Sequence, residues 1–559
     1  MKFLFLLIFS SNLFSAEDVV LKAMNDELVR TVNNLEISNF PKPYFIAYQI
    51  TDSSVCSISA SFGDIKEIDD RFIRYAKVDV RIGNNLFDSS NFIEDLNNRY
   101  EPSYSNIAVE DNYDLIRQSL WSLSDTAYKN ALDSYSRKEA YRKKKDIKEN
   151  YGDLTVEKSE HYIMDESNTK VNMAKCDSYK LFLSSASGIF KKYPFIKSSD
   201  IYFTRDISTD RFINSENTYY KKISTLIRMN INTVVQDSEG YEKNSSKNFI
   251  FVDDREMNIN LLDSIEDYAK ELSLSYNSKP LDYYIGPAVF EDDAAAEFFN
   301  TLFIRNISFY PLPETENENW LKYYYDIPVL VDRKDRKVAA GFIDITDDPF
   351  IREYNGKSLV GGYDIDDEGV VPSKLVLVKN GILNDIYSSR RPSKFYKNSN
   401  GHSRGTYGMF NNTFPSNVFI KSGKTLDYKK FMKEAMGIAK DQKIDKILVI
   451  KKLSSYSFSD ESLPPPSIAY LLDIKTGKKE YLSPSKFDGI SLRALRDITY
   501  TEDKEMVYNF LERGPFYYND AVPASIVCPR SVLVSEVELI KSDVKPEKKP
   551  YISRPYFER

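Results

Sequence analysis

Tyr283–Asn300 reads Y-Y-I-G-P-A-V-F-E-D-D-A-A-A-E-F-F-N. Its first part is apolar and β-like, Gly286-Pro287 is a turn pair, and the alanines that follow favour helix. The pattern predicts a strand, a turn, and a helix that begins around Phe290-Glu291-Asp292-Asp293. Carboxylates at that position sit well against the positive end of the helix dipole.

Beyond this stretch the chain reads mostly as strands. Val329–Val331 and Val338–Ile345 are expected to form a hairpin that Pro328 opens. Lys374–Val378 and Ile382–Tyr387 flank Asn380-Gly381, a type I′ signal because both turn positions need positive φ. A helix over Tyr428–Lys440 precedes strands at Lys446–Lys451, Ile468–Ile474 and Ser531–Ile540. Upstream, Leu21, Met24, Leu28, Val32 and Leu35 form an amphipathic helical stripe. Tyr44–Thr51, Val55–Phe62 and Tyr75–Ile82 alternate with period two, as strands of an antiparallel sheet with one packed face and one wet face do. Asp111 is positioned to cap a long helix that ends in the basic run Arg137–Lys148, read as a solvated helix end. Strands at Ile201–Arg205, Tyr219–Asn232 and Asn248–Val252 and a helix at Asn258–Leu272 follow. The expected fold class is α+β: an N-terminal antiparallel sheet with flanking helices, then a β-rich C-terminal domain. Expected boundaries are 1–16 for a signal peptide, 17–256 and 257–540 for the two domains, and 541–559 for a charged tail.

The 559 residues exceed what one ordinary core organises. Forty Tyr and 34 Phe suit half-buried pleated surfaces. A net charge of −7 with both signs scattered excludes the concentrated basic face of a nucleic-acid binder. Lys2, the apolar run Phe3–Phe9 and the small-residue exit Ser15-Ala16 predict export to a periplasmic or extracellular space, and no other stretch is apolar and long enough for a transmembrane helix. Cys56, Cys176 and Cys528 form no C-x-x-C; an exported chain can pair two of them, but the preferred reading is three small buried side chains.

Several short motifs occur in series: Pro43–Tyr48, Asn112–Arg117, Gly286-Pro287 with Phe290-Glu291, Asp366–Gly369, Leu377–Gly381, Ser399–His402 with Arg404, and Pro415–Asn417. In these the chain resembles the TldD/PmbA family, known first as modulators of DNA gyrase and then as metallopeptidases. The resemblance implies an N-terminal α+β domain, a β-rich C-terminal domain, and a homodimer or a heterodimer in which a TldD-like chain carries zinc and the pair acts on peptides or unfolded protein segments. The catalytic branch carries H-E-x-x-x-H where this chain has Phe290, Glu291 and Ala295, so the resemblance is to the PmbA/TldE-like branch. The family's third ligand, a cysteine, has no counterpart in Gly514–Pro523.

Zinc hydrolysis needs about three protein ligands and an open position for water. Two histidines, His161 and His402, are too few and too far apart for that helix, so no metal ligands are assigned and no cofactor is expected. Glu291 occupies the vestigial general-base position, where the plainer role is structural. His402 and Arg404, in S-N-G-H-S-R-G, are the candidates for peptide binding; a mere turn is the plainer reading. Asp364–Gly369 fails the calcium-loop test because Leu375 stands where a bidentate glutamate belongs. Three functions follow: an exported pseudoenzyme that serves as a non-catalytic partner or peptide-binding scaffold, an active metallopeptidase using Glu291, Asp292, Asp293 and His402, or a structural envelope component.

Overall fold

The computed structural model describes residues 18–93, 102–148, 151–164, 175–237, 240–308, 312–317, 319, 328–405, 411–454, 463–513 and 521–546. The expected signal peptide and most of the expected tail lie outside them.

Helix α1 (Val19–Asn34) is capped by Asp18, whose carboxylate accepts from Leu21 N. Two very long strands follow, β1 (Pro43–Ser61) and β2 (Asp64–Asn84), paired antiparallel almost throughout. The two strands expected within β1 are therefore one. Helix α2 (Tyr113–Lys145) starts from Asn112, which accepts from Asp114 N and Leu115 N; Asp111 instead faces Arg74 at 2.7 Å. Helix α3 (Lys180–Gly188), strands β3 (Ile196–Asn214), β4 (Tyr219–Gln236) and β5 (Glu242–Phe251), and helix α4 (Ile259–Leu274) complete the N-terminal half. The long strands run in the order β2-β1-β3-β4-β5, each antiparallel to its neighbour.

Period two decides what each face of this sheet does. Even residues of β1 and odd residues of β3 and β4 point at the helices: Ile46, Tyr48, Ile58, Ile201, Phe203 and Ile231 are buried there against α1 to α4. A buried ionic strip crosses the middle of that face, where Arg74 and Arg211 share Asp52 and Arg211 also holds Asp18. The basic end of α2 is not wholly solvated: Lys138 is buried and donates to Asp153 Oδ2 at 2.7 Å and to the Ser90 carbonyl at 2.7 Å. Cys56 and Cys176 form a disulfide that ties β1 to the turn before α3, which corrects the expectation of three unpaired thiols. Cys528 is free and buried in the core, where burial pushes its thiol pKa up.

The C-terminal half has two mixed sheets. One contains β6 (Tyr283–Glu291), flanked by β10 (Lys446–Leu453) in parallel and by β15 (Ser531–Lys541) antiparallel; β11 (Pro466–Asp473) and β12 (Ile498–Glu502) extend it on the two sides. The other runs β8-β7-β9-β14-β13, with β7 (Ile343–Asp347), β8 (Leu375–Lys379), β9 (Asn417–Ser422), β13 (Glu505–Arg513) and β14 (Ala521–Pro529). Helix α5 (Asp293–Leu302) packs on β10 of the first sheet and β14 of the second, and Ala294, Ala295, Ala296, Phe298, Phe299 and Leu302 are fully buried. Helix α6 (Tyr428–Asp441) covers the outer face of the first sheet.

Two local expectations are corrected. Gly286-Pro287 is a bulge within β6, not a turn, since the pairing with β15 slips there and resumes at Ala288. The hairpin at 329–345 does not form: Val331–Arg333 is a 3₁₀ turn and only Ile343–Asp347 is a strand. The Asn380-Gly381 turn has φ of 50° and 74°, the two positive values that its sequence demands.

Candidate functional site

Strand β6 delivers Glu291 to its last position and Asp292 turns the chain with φ 55°, so α5 opens at Asp293. Phe290, where the zinc helix has its first histidine, is a buried strand residue whose ring lies 4.7 Å from Phe298 and 6.3 Å from Phe487. Burying such a side chain contributes about 1.5–3 kcal/mol, so this position packs the core.

Each carboxylate around the helix start is answered by a cation. Lys451 Nζ is 2.5 Å from Asp292 Oδ2 and 3.4 Å from Glu291 Oε2, and Arg530 Nε is 2.6 Å from Asp292 Oδ1. Asp293 takes Lys247 of β5 at 2.6 Å and Lys452 at 3.2 Å, and Lys452 is also paired with Glu297. Burial pushes the Asp293 carboxyl up, but Lys247 and Lys452 outweigh it and hold the group well below the usual range. Burial acts likewise against Lys452, and Glu297 and Asp293 raise it far above an ordinary lysine. Tyr428, pushed up to about 12 by burial and by Glu291, closes the other side of that carboxylate.

Around α5 and the N-terminal sheet lie two adjoining cavities of about 610 and 600 Å³. Both include Arg228 and Ala521 in their walls. Their floor is the face of the N-terminal sheet that turns away from the helices: Thr51, Asp206, Asp210 and Lys222 line the first, and Thr204, Asn230, Asn232 and Asn248 the second. Their roof is the C-terminal half, with Tyr363, Asp367 and Arg404 over the first and Glu297, Asn300 and Tyr508 over the second. Lys222 to Asp367 at 2.5 Å and Tyr162 to Asp364 at 3.0 Å tie floor to roof, and Lys247, paired in the sheet with the helix-facing Ile231, reaches Asp293 from the edge strand β5.

The candidates from sequence are distributed across this arrangement. Arg404 lines the first cavity, donates to the Pro523 carbonyl at 2.8 Å and lies 4.8 Å from the Tyr363 ring. His402 is behind that wall and wholly buried: Nδ1 donates to the Asn400 carbonyl at 3.0 Å, and Nε2 is 3.5 Å from Asp347 Oδ1. Asp347 also accepts from Tyr387 Oη at 2.8 Å and Ser416 N at 2.9 Å; burial raises its pKa, but His402 and Ser416 bring the net shift down. His161 is exposed on the N-terminal half, stacked on Tyr219. The Asp364–Gly369 stretch is a turn that Asp366 closes by accepting from Glu368 N and Val370 N. Lys451 and Lys452 escaped the sequence reading; the signal was a lysine pair at the end of an apolar strand, Ile447–Ile450.

A sheet-and-helix half joined to a two-sheet half around a buried helix defines a two-part α+β protein. Residues 285–538 match the PmbA/TldA metallopeptidase C-terminal domain. Over nearly its whole length the chain is similar to TldE from Thermococcus kodakarensis, at 15% identity and TM-score 0.60, covering 92% of this chain and 99% of that one. It is also similar to proteins described as modulators of DNA gyrase from Thermotoga maritima (15% identity, 89% and 96% covered, TM-score 0.56) and Bacteroides thetaiotaomicron (11%, 94% and 98%, TM-score 0.55). No curated protein sequence matches it. The C-terminal half therefore carries a domain of the PmbA/TldA metallopeptidase family, and the chain as a whole shares the fold of TldE and of the gyrase-modulator proteins.

The zinc of the family's catalytic branch does not fit the residues present here. The helix start offers no imidazole, and its carboxylates are neutralised by lysine and arginine at hydrogen-bond distance. Among the described residues no three His, Cys, Asp or Glu side chains converge as a metal site.

Proposed function

We propose that this chain is an exported, zinc-independent member of the TldD/PmbA family that binds extended peptide in the cavities between its halves, as a scaffold or as the non-catalytic partner of a zinc-bearing TldD-like chain. The observation that carries the proposal is the lysine pairing of Asp292, Asp293 and Glu297. Ammonium groups take the charge-balancing part that a divalent ion plays beside a catalytic carboxylate, so Glu291 has no acidified water to deprotonate. The polar floor supports the peptide reading, because amide and hydroxyl side chains along a pleated face match the donors and acceptors of an extended chain. The Cys56–Cys176 disulfide supports export, since such bonds persist in oxidising compartments.

Metal analysis of the purified protein, with titration of a fluorescent unfolded peptide, tests the proposal. The expected result is sub-stoichiometric zinc and saturable binding unaffected by chelator. Stoichiometric zinc, or a chelator-sensitive peptidase activity that Glu291→Gln abolishes, would overturn it.

A further inference from the structure

The second cavity has an electrostatic character that the first lacks. Arg228, Arg305, Lys452 and Arg513 stand in its wall against one lining carboxylate, Glu297. Arg305 is 3.0 Å from Glu512 and Lys452 is paired with Glu297 and Asp293, so both are satisfied from within. Arg228 is different. Its Nε donates to Thr204 Oγ1 at 3.0 Å, and among the described residues no carboxylate pairs with it. It stands where the two cavities meet, on the wet face of β4.

A second group in the same wall lacks a partner of the opposite kind. Asn300 is 8% exposed, and its amide nitrogen donates to Glu512 Oε2 at 2.9 Å. Its Oδ1 is buried and accepts nothing from the described protein. A buried acceptor without a donor is a costly arrangement that a bound group relieves. The cavity therefore combines a cation that lacks an anion with an acceptor that lacks a donor. Asn230 and Asn248, joined through their amides at 2.5 Å, line the floor between with further hydrogen-bonding capacity.

We propose that this end of the trough recognises a carboxylate on the bound peptide, held by Arg228, with a backbone N–H of the same peptide donating to Asn300 Oδ1. A guanidinium fork suits a carboxylate because two parallel N–H groups meet its two oxygens. The inference rests on the peptide-binding reading and adds the substrate class: chains with a free C-terminal carboxylate or an acidic side chain.

Four labelled peptides of one Gly/Ser/Thr-rich sequence test it by fluorescence anisotropy on the full-length protein. They carry a free or an amidated C-terminus and an interior Asp or Asn. The expected result is that wild type prefers at least one carboxylate form over the doubly neutral peptide by about tenfold to a hundredfold, the range of a charge-assisted hydrogen bond. Arg228→Gln removes that preference, and Arg228→Lys retains part of it. The arm in which the preference appears distinguishes a terminal from a side-chain carboxylate. Equal affinity of wild type for all four peptides, or a preference that survives in Arg228→Gln, overturns the carboxylate inference alone. Failure of all four to bind wild type overturns the peptide reading, and this inference with it. Unchanged circular dichroism in the variants verifies folding, which the partly exposed position of Arg228 favours.

Discussion

Replacing Lys452 by Met asks directly whether lysine has taken over the charge balance at the helix start. The side chain is 8% exposed and its ammonium is shared by Glu297 and by Asp293 Oδ2 at 3.2 Å. At an effective dielectric of about 20, a pair at that separation is worth roughly 5 kcal/mol before desolvation is counted. Methionine keeps most of the volume but leaves Glu297 without its cation and Asp293 with Lys247 alone. Breaking a buried pair from one side costs about 3–5 kcal/mol, and that is the expected loss. Removing both charges in Lys452→Met/Glu297→Gln leaves no orphan, so the double variant should recover part of it, with a coupling energy above about 1 kcal/mol. Urea unfolding followed by tyrosine fluorescence and by far-ultraviolet circular dichroism measures both. A single-variant loss below about 1 kcal/mol, or strict additivity, would refute the reasoning that these carboxylates depend on lysine.

The remaining predictions concern the rest of the molecule. Asp18 is opposed by burial but pulled down to about 2 from 3.8, chiefly by Arg211 and Lys221. A depressed carboxyl stabilises the folded state above its unfolded pKa and loses that contribution as pH falls through its folded pKa; Asp18→Asn should therefore flatten the acid-unfolding curve between about pH 4 and 2, by about 1–2 kcal/mol after allowance for its partial exposure. Thiol titration of the denatured, unreduced protein should find one free cysteine and, after reduction, three. The Cys56→Ala/Cys176→Ala variant, which opens a span of 120 residues, should lose about 2–5 kcal/mol in the same unfolding assay. Gly381→Ala places a Cβ 2.5 Å from the Ala339 carbonyl oxygen at φ 74°, and its melting temperature should drop while Gly477→Ala, with open space around it at φ 71°, drops less.

The sheet faces were legible because period two is a local signal. Ile227, Met229 and Ile231 alternate with Arg228, Asn230 and Asn232, and the structure puts the first set under helices and the second in a cavity wall. The Asn380-Gly381 turn and the helices expected at Asn258–Leu272 and Tyr428–Lys440 were legible for the same reason, since each depends on neighbours in sequence. Gly286-Pro287 misled because its turn chemistry is overridden by the pairing of Gly286 with Val537 and of Ala288 with Val534, residues far along the chain that no local rule reports. The same limit hid the cations of the site. Lys247, Lys451, Lys452 and Arg530 come from two different strands and a strand junction, and only the fold assembles them around Asp292 and Asp293. His402 and Arg404 look alike as neighbours in a glycine-flanked loop; one proves to be core and the other cavity wall, a division that nearness in sequence does not report.

Strands β14 and β15 are separated by Arg530 alone, yet they belong to different sheets. Asp292 receives Arg530 from 238 positions further along. During synthesis β6 and β9 must therefore wait for residues 521–541 to be made before either gains its second neighbour. Contacts of such sequence separation form slowly, and bare strand edges invite pairing with other chains. A nascent polypeptide halted before residue 521 leaves both sheets unfinished at once, so residues 521–541 are the clasp that shuts the C-terminal half, and premature termination there should yield aggregate instead of a shortened, working protein.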